Sequence, residues 1–380
     1  MTNRIRVLLL FGGRSAEHDV SRTSAVTVAS ALDPERYEVV PVGITREGRW
    51  LLAGEARAAL AGSRDALPAA FTVEGAPVGE LADPGRRALV PLDGDPGAPG
   101  AETPFDVVLP LLHGPYGEDG TVQGLFELAG VPYVGSGVVG SAVAMDKVMM
   151  KRAFAAAGLD TAAWLAFRDG HDTDAFVAQV EAELGYPCFV KPANLGSSVG
   201  VSRADDRSAL TAAIELALTY DEWILVEEAI VGREIEVGIL GDNPPVASVP
   251  GEIVPGEAFY SYADKYESDA AQLLAPAPLD AEATARVRDL AVVAFESCRC
   301  EAMARVDFFY EEHARDGGPG RGFLVNELNT IPGFTAISMY PRLWAESGVS
   351  YSELLDRLVE LAVARHDRRA RRAGRPRLEG

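Results

Sequence analysis

One segment of the chain combines a lysine with glycines and serines: Lys191-Pro-Ala-Asn-Leu-Gly-Ser-Ser-Val-Gly200. Glycines let the backbone approach a ligand, amide N–H groups and hydroxyls donate hydrogen bonds, and the ammonium supplies positive charge. This pattern indicates a phosphate-binding loop. It is not a P-loop, because G-x-x-x-x-G-K-[ST] occurs nowhere in the chain. On these residues alone, a surface hairpin turn fits equally well.

Two predicted strands near the C-terminus carry charged and amide side chains at alternate positions. Arg305 and Asp307 lie on the first strand, and Glu327 and Asn329 lie on the second. Side chains two apart in a strand point to one face, so each pair shares a face. Carboxylate and amide oxygens suit Mg²⁺, and an arginine beside them stabilises developing charge. A solvated salt-bridge ladder is the alternative, but flanking phenylalanines place these charges in an apolar frame, where unpaired charge is costly.

Two loops follow predicted buried strands in the N-terminal part of the chain. They are GGRSAEHD, which contains Glu17, and LHGPYGEDG, which contains His113. Ligands of open α/β sheets bind at the carboxyl ends of the strands. Glu17 and His113 are therefore candidates for recognising a small zwitterion. Helix capping is the alternative, because Ser15 and Asp119 are good cap residues.

A third glycine-rich segment, Gly135-Ser-Gly-Val-Val-Gly140, matches the dinucleotide-binding pattern G-x-G-x-x-G. Such a site needs an acidic residue about twenty positions on, at the end of the next strand. Asp160 has roughly that spacing but precedes the next predicted strand, 164–167. We therefore interpret these glycines as a tight strand-to-helix turn and not as a nicotinamide site.

Buried strands alternate with helices in the N-terminal part, which predicts a Rossmann-like parallel sheet over residues 1–135. The predicted strands are 5–11, 37–44, 105–112 and 131–134, with helices at 21–32 and 122–129. The stretch 53–101 is rich in Ala, Gly and Pro. We interpret it as a peripheral elaboration with a mobile loop that carries no chemistry.

The remaining chain predicts an α+β organisation in two further domains, 136–228 and 229–366, followed by an Arg-rich tail, 367–380, that we expect to be frayed. A polar loop is predicted over 255–273. The predicted helices are 143–157, 206–217, 280–298 and 350–366, and the predicted strands are 188–191, 199–203, 224–228, 234–240, 246–249, 302–310 and 322–328.

The composition limits the possible function classes. The chain has 380 residues and a net charge of −21, from 35 basic and 56 acidic residues. This charge argues against non-specific binding to nucleic acid or anionic membranes. No run of about 18 apolar residues occurs, so no membrane span is expected. The apolar run 7–11 is too short for a secretory signal, and three cysteines favour a reducing compartment, so we expect a cytoplasmic protein.

Together these segments resemble the D-alanine–D-alanine ligase family of the ATP-grasp superfamily. The matching motifs, in family order, are FGGRSAEHDVS, LHGPYGEDGTVQGLFELAGVPYVGSG, MDK, VKPANLGSSVGVS, DKYESD, RVDFF and NELNTIPGFT. The match covers about residues 5–365. The resemblance implies three α/β domains, with ATP between the second and third.

The resemblance also implies the reaction. The carboxylate of one D-alanine attacks the γ-phosphate of ATP, and the amine of a second then attacks the acylphosphate. The implied product is a peptidoglycan precursor, the implied cofactor is Mg²⁺ or Mn²⁺, with two ions, and the implied assembly is a homodimer.

Roles of individual residues are carried over from the family motifs. Lys147, Lys191 and Lys265 resemble the phosphate-binding lysines, Glu227 to Ile230 the adenine hinge and Glu234 the ribose ligand. Ala229 replaces a bulkier residue often found in the hinge, which bears on packing against adenine. The implied ATP-binding residues are Lys147, Lys191, Ser198, Glu227, Glu228, Ala229, Ile230, Glu234 and Lys265.

The resemblance likewise assigns the amino-acid sites. Glu17 holds the first ammonium and connects to Ser197 and Tyr266, which closes the loop over the site. Arg305 and the Gly333 N–H serve the oxyanion. The other implied substrate contacts are His113 and Ser338, and the implied metal ligands are Asp307, Glu327 and Asn329.

Tyr266 distinguishes close relatives. Ligases that make D-alanyl-D-lactate carry a histidine in the corresponding loop, and an imidazolium there would disfavour an ammonium nucleophile. The tyrosine of DKYESD therefore favours the dipeptide, although simple loop packing by Tyr266 and some use of D-serine stay open. The alternatives for the whole chain are another ATP-grasp carboxylate–amine ligase and a nucleotide-binding regulatory protein that has lost catalysis.

Overall fold

The computed structural model describes residues 4–62, 67–80, 87–93, 102–254, 272–314 and 317–372. These residues form three β-sheets, of seven, four and five strands. The expected α/β fold, with α+β organisation in the later part of the chain, is confirmed. The first sheet is not parallel throughout, because only the strands Tyr37–Ile44 and Val107–Pro110 pair in parallel with Ile5–Gly12, and its other strand pairs are antiparallel. The strands of the three sheets lie within the predicted domains 1–135, 136–228 and 229–366, respectively. The exact boundaries near residues 135 and 228 stay a prediction.

The first sheet has the strand order β6-β5-β4-β3-β2-β1-β7, in which β1 pairs in parallel with β2 and β7. Residues 7–11 of β1 are fully buried, because helices and loops cover both faces of this central strand. The strands are β1 (Ile5–Gly12), β2 (Tyr37–Ile44), β3 (Trp50–Ala53), β4 (Gly75–Glu80), β5 (Ala88–Pro91), β6 (Thr103–Pro104) and β7 (Val107–Pro110), and the helices are α1 (His18–Ala31), α2 (Gly54–Ala61) and α3 (Thr121–Ala129).

Two predictions for this part were wrong. The segment 131–134 makes only an isolated bridge, between Val108 and Tyr133. The stretch 53–101 is not merely peripheral, because it supplies α2, β4 and β5. Phe71 explains this, since its side chain is fully buried against Phe11, with ring centroids 5.6 Å apart.

The second sheet is antiparallel, with the order β10-β9-β11-β8. Its strands are β8 (Trp164–Arg168), β9 (Cys188–Pro192), β10 (Ser202–Ala204) and β11 (Trp223–Glu228), and the nearby helices are α4 (Val138–Met145), α5 (Lys147–Ala156), α6 (Thr173–Glu183) and α7 (Arg207–Leu218). The single helix predicted over 143–157 is interrupted at Asp146. The Asp146 carboxylate accepts a hydrogen bond from the Met149 N–H at 2.9 Å and so caps α5.

The third sheet is also antiparallel, with the order β14-β13-β12-β15-β16. Its elements are β12 (Arg233–Leu240), β13 (Val246–Val254), β14 (Gln272–Leu274), β15 (Met303–His313), β16 (Pro319–Asn329), α8 (Ala281–Ser297), α9 (Met339–Glu346) and α10 (Tyr351–Arg372). The predicted polar loop 255–273 lies outside the described residues up to 271, and its last two residues begin β14. None of the described helices has the length and apolarity to span a bilayer.

Helix α10 ties the C-terminal part of the chain to the first sheet. Leu355 and Leu358 belong to the same buried cluster as Val107 and Leu109 of β7. The prediction that this helix ends at His366 was wrong, because the helix continues to Arg372. The rest of the predicted tail, 373–380, lies outside the described residues.

Arg365 anchors this extension of α10. Its side chain is 3% exposed and donates hydrogen bonds to the carbonyl oxygens of Tyr133, at 2.6 Å, and Gly135. The guanidinium also lies over the Tyr133 ring, 4.4 Å from its centroid, and pairs with Glu301 at 3.3 Å. Arg365 is therefore a structural contact between the first and last parts of the chain.

We expect Arg365→Ala to lower the free energy of unfolding by about 3 kcal/mol, because two buried carbonyls and Glu301 lose their partner. Urea denaturation measures this change. Arg371→Ala, an exposed change on the same helix, is the control and should alter stability by less than about 0.5 kcal/mol. Equal stability of the two variants would contradict an anchoring role for Arg365.

Candidate active site

A cleft of about 810 Å³ collects side chains from all three parts of the chain. Its walls come from the loops that follow β1 and β7, from the segment after β9, and from β12, β15 and β16. The predicted site residues that line it are Glu17, His113, Lys147, Ser197, Arg305, Glu327, Asn329, Gly333 and Ser338. Residues far apart in sequence thus share one cavity.

Arg305 occupies the centre of a buried charge cluster on the third sheet. Its Nε and Nη2 atoms donate to the two carboxylate oxygens of Asp307, both at 2.7 Å. Nη2 also lies 3.2 Å from Oε1 of Glu236, which is opposite Asp307 on β12. Burial lowers the pKa of Arg305, but the two carboxylates outweigh it and raise the pKa well above its ordinary value. Arg305 is therefore a permanent cation. Glu236 was not predicted, although it lies two positions from Glu234 on β12 and therefore on the same face of the strand.

The predicted metal ligands lie next to this arginine. Asp307 pairs with Glu327 across β15 and β16, and Asn329 is two positions further along β16. The Asn329 amide donates to Asp307 Oδ2 at 3.0 Å. Two carboxylates and an amide on adjacent strands fit a hard divalent cation. Among the described residues, no group of three or more His, Cys, Asp or Glu side chains is placed to hold a metal ion. A metal bound by Asp307 and Glu327 would therefore depend on the amide oxygen of Asn329 as a further ligand.

Buried lysines lie between α5 and the second sheet. Lys147, at the start of α5, donates to the Leu195 carbonyl oxygen and lines the cleft. One turn further on, Lys151 forms an ion pair with Glu227, whose other oxygen pairs with Lys191. Burial raises the pKa of Glu227, but the two ammonium groups outweigh it and hold the pKa at about 2. Sequence analysis missed Lys151; the signal was its spacing of four residues from Lys147.

The glycine- and serine-rich segment is both a hairpin connection and part of the cleft wall. It joins β9 to β10, which pair antiparallel, and its residues 195–197 face the cleft. Ser197 and Ser198 have φ angles of 52° and 58°, which non-glycine residues seldom adopt outside functional turns. A methyl group built on Gly196 would lie 3.8 Å from Oε2 of Glu17, so the loop closely approaches that carboxylate.

His113 and Glu118 hold two loops together. His113 Nδ1 donates to the Ile331 carbonyl oxygen at 2.9 Å, and its buried Nε2 makes no hydrogen bond within the described residues. Glu118 accepts hydrogen bonds from the N–H groups of Gly114 and Ile331, both at 2.8 Å. Burial, opposed by His113, raises the pKa of Glu118 to about 7. Glu118 was missed by sequence analysis, although it lies in the LHGPYGEDG loop.

The capping alternative was wrong for Ser15, whose hydroxyl makes no hydrogen bond within the described residues. The N-cap positions of α1 and α3 are Glu17 and Gly120, and neither makes a side-chain capping bond. Asp119 instead accepts from the N–H groups of Tyr116 and Thr121, at 2.8 and 2.9 Å, and so closes the turn that follows His113.

The loop after β16 has no space for a side chain at Gly333. A Cβ atom there would lie 2.8 Å from Ser338 Oγ. Ser338 Oγ accepts from the Thr335 N–H at 3.0 Å and lies 2.7 Å from Thr335 Oγ1. The Gly333 backbone and the Ser338 hydroxyl are thus held side by side in the cleft wall.

The glycines 135–140 form the expected turn into α4. A side chain at Gly140 would lie 2.6 Å from the Arg299 carbonyl oxygen, so this glycine allows a close backbone approach.

Eight of the predicted site residues that the structure describes are not among those that line the cleft: Lys191, Ser198, Glu227, Glu228, Ala229, Ile230, Glu234 and Asp307. Glu228 accepts from the Ala163 N–H and from Arg321, both at 2.7 Å, and the Ala229 N–H donates to the Pro187 carbonyl oxygen. Ile230 follows β11. Burial lowers the pKa of Lys191, but Glu227, Glu327 and Glu234 outweigh it and raise the pKa. Lys265 and Tyr266 lie outside the described residues.

Comparison with known proteins identifies the family. The profile described as D-ala D-ala ligase N-terminus matches residues 6–136, and that described as D-ala D-ala ligase C-terminus matches residues 153–360. The D-alanine–D-alanine ligase of Bacillus licheniformis is 45% identical over 368 residues, covering 96% of this chain and 97% of the relative. That of Kineococcus radiotolerans is 48% identical over 373 residues, covering 95% and 97%.

The chain belongs to the D-alanine–D-alanine ligase family. Solved structures of the family share its fold. The D-alanine–D-alanine ligase from Coxiella burnetii matches with a TM-score of 0.81 at 34% identity and covers 97% of this chain and 96% of that one. The VanG D-Ala:D-Ser ligase from Enterococcus faecalis matches with a TM-score of 0.80 at 33% identity, covering 95% and 100%. The fold is therefore the three-domain ATP-grasp fold of this ligase family.

The raised pKa of Glu118 predicts how the free energy of unfolding depends on pH. Folding raises the pKa from 4.5 to about 7, so the neutral carboxyl group contributes stability that is complete below pH 4.5 and lost as the pH rises through 7. Relative to Glu118→Gln, the wild-type free energy of unfolding should fall by about 3 kcal/mol between pH 4.5 and 8. Urea denaturation of the unliganded proteins at both pH values measures this difference. Glu346→Gln, at an exposed glutamate, is the control, and parallel pH profiles for wild type and Glu118→Gln would contradict the assignment.

Proposed function

We propose that this protein ligates two D-alanine molecules to D-alanyl-D-alanine, with ATP converted to ADP and phosphate, and so supplies the dipeptide for peptidoglycan synthesis. The observation that carries this proposal is the cleft in which the Arg305 cation, Lys147 and the carboxylates of Glu236 and Glu327 meet the loops of Glu17 and His113. The family relatives named above support the same reaction. A regulatory protein that only binds a nucleotide would not need Arg305 in such a cleft.

In the first step, the Glu17 carboxylate would hold the ammonium group of the first D-alanine. The carboxylate oxygen of this D-alanine attacks the γ-phosphorus of ATP, and the bond from that phosphorus to the bridging oxygen of ADP breaks. Lys147, Lys191 and Ser198 would bind the phosphate groups, together with Lys265. The cations neutralise the repulsion between the anionic nucleophile and the triphosphate.

In the second step, the amine of the second D-alanine attacks the carbonyl carbon of the acylphosphate. Arg305 and the Gly333 N–H would stabilise the tetrahedral oxyanion, and Ser338 would bind the second carboxylate. The bond between this carbon and the phosphate oxygen breaks, and phosphate leaves with the electron pair of that bond. Because His113 Nδ1 donates to a backbone carbonyl, Nε2 is the atom left to accept a proton from a substrate amine.

Asp307, Glu327 and Asn329 would hold the divalent cation. A bound Mg²⁺ or Mn²⁺ would supply positive charge to the phosphate groups, and we propose two such ions. Arg305, which grips Asp307 through two hydrogen bonds, would hold this ligand in place.

The finer assignments extend this proposal. Tyr266 would connect to Glu17 and Ser197 over the bound substrates and favour an amine nucleophile. Glu227 to Ile230 would contact adenine and Glu234 the ribose. We further propose a homodimer in the cytoplasm. Cys188, Cys298 and Cys300 are all free and buried, as is common in a reducing compartment.

Phosphate release from ATP and Mg²⁺ tests the function directly. The assay compares D-alanine, L-alanine, and D-alanine plus D-lactate, with the products identified by mass. We expect D-alanyl-D-alanine from the D-isomer only and no D-alanyl-D-lactate. ATP binding without D-alanine-dependent turnover would contradict the proposed function, and an ester product would contradict the role of Tyr266.

Arg305→Lys should lower kcat by about 10²-fold with little change in stability. The lysine keeps a positive charge beside Asp307 and Glu236 but cannot reproduce the planar, two-pronged contact. Steady-state kinetics and urea denaturation of the same samples separate the two effects. Arg57→Lys, an exposed change on α2, is the control. An unchanged kcat for Arg305→Lys would remove the arginine from the oxyanion role.

A further inference from the structure

Lys151, Glu227 and Lys191 form a buried group in which two cations share one carboxylate. The side chains of Lys151 and Glu227 are 2% and 3% exposed, whereas that of Lys191 is 16% exposed. Lys151 pairs with Oε1 of Glu227 and Lys191 with Oε2. Such complete burial of a lysine is costly unless the charge is paired, so the contact with Glu227 is a requirement of the fold.

The fold brings these residues together in a simple way. Lys147 and Lys151 are four residues apart on α5 and therefore lie on the same side of the helix. Lys191 of β9 pairs with Leu225 of β11, which places it diagonally across from Glu227 on one face of the second sheet. The space between this face and α5 is otherwise apolar; the cluster there consists of Val148 of α5, Ala193 and Leu225, packed against Trp164, Ala166 and Trp223.

The two lysines differ in exposure. Neither Lys151 nor Lys191 is among the residues that line the cleft, but the side chain of Lys191 is partly exposed, at 16%, whereas that of Lys151 is 2% exposed. Lys147 and Met150 of the same helix as Lys151 do line the cleft. Lys191 precedes the loop whose residues 195–197 do line the cleft, and it is influenced by Glu327 and Glu234 as well as by Glu227. Lys151 can therefore stay paired with Glu227, whereas the ammonium of Lys191 can move from Glu227 to another anion.

We propose that Lys151 is a positioning residue for nucleotide binding: it neutralises Glu227 so that the ammonium of Lys191 can turn from this carboxylate to a phosphate of ATP. Without Lys151, Lys191 is the cation left in direct contact with a buried carboxylate, and releasing it would leave that charge unpaired. The inference rests on the proposed function, in which Lys191 binds ATP. Lys147 keeps its own contact with the Leu195 carbonyl oxygen and does not replace Lys151.

Lys151→Met, which keeps the length of the side chain but removes its charge, should weaken ATP binding about tenfold. The KM for ATP should rise by the same factor, with little change in kcat or in the KM for D-alanine. Lys151→Arg keeps the charge and should restore most of the affinity. Arg152→Met, at the next position but on the exposed side of α5, is the matched control and should bind like the wild type.

A double-mutant cycle separates this role from general stability. If Lys151 acts through Glu227, then Lys151→Met should have little effect on ATP affinity in a Glu227→Gln background, where no carboxylate competes for Lys191. If Lys151→Met alone does not fold, the double variant carries the test, because it removes both charges and must bind ATP as Glu227→Gln does.

Calorimetric titration of ATP and Mg²⁺ in the absence of D-alanine is the deciding measurement. A tenfold loss for Lys151→Met that disappears in the Glu227→Gln background supports the proposal. Unchanged affinity for Lys151→Met, or the same loss in both backgrounds, overturns it. Failure of the proposed ligase function is distinguishable, because the wild type would then bind ATP without forming a dipeptide from D-alanine.

Discussion

Charge that is buried must be paired, and this constraint determines how the cleft is built. Arg305 pairs with Asp307 and Glu236, and Lys151 and Lys191 pair with Glu227. Each group would be strongly unfavourable alone in a low-dielectric interior. The pairs around Arg305 hold this cation and its carboxylates in fixed positions before any substrate arrives, which is the condition under which electrostatic stabilisation of a transition state is most effective.

The three sheets supply these charges from separate directions. The first sheet offers the loops of Glu17 and His113 at the carboxyl ends of parallel strands. The second sheet contributes Lys191, and helix α5 beside it contributes Lys147 and Lys151. The third sheet contributes Arg305 and the proposed metal ligands. Contacts between loops then fix the arrangement. His113 and Glu118 both bind the backbone of Ile331, so the substrate loop of the first sheet is joined to the segment that follows β16.

Local sequence patterns predicted many of the residues that form the site. Alternation in RVDFF and NELN predicted which charges share a face, and the register of β15 and β16 places Asp307 opposite Glu327. Partners distant in sequence escaped prediction. Glu118 and Glu236 are buried acids whose importance depends on which loop or strand packs against them. Arg365 lay at the end of the predicted helix 350–366, and nothing in the sequence indicated its contacts with Tyr133 and Gly135. Phe71 likewise shows that an irregular stretch can supply core residues.

The central claim is that this cleft joins a carboxylate to an amine by way of an acylphosphate, and isotope transfer tests it most directly. D-alanine labelled with ¹⁸O in its carboxylate is incubated with ATP and Mg²⁺, and the released phosphate is analysed by mass. Attack of the carboxylate on the γ-phosphorus predicts one ¹⁸O atom in each phosphate, because that oxygen leaves with phosphate when the amine attacks. Unlabelled phosphate formed together with the dipeptide would contradict the account.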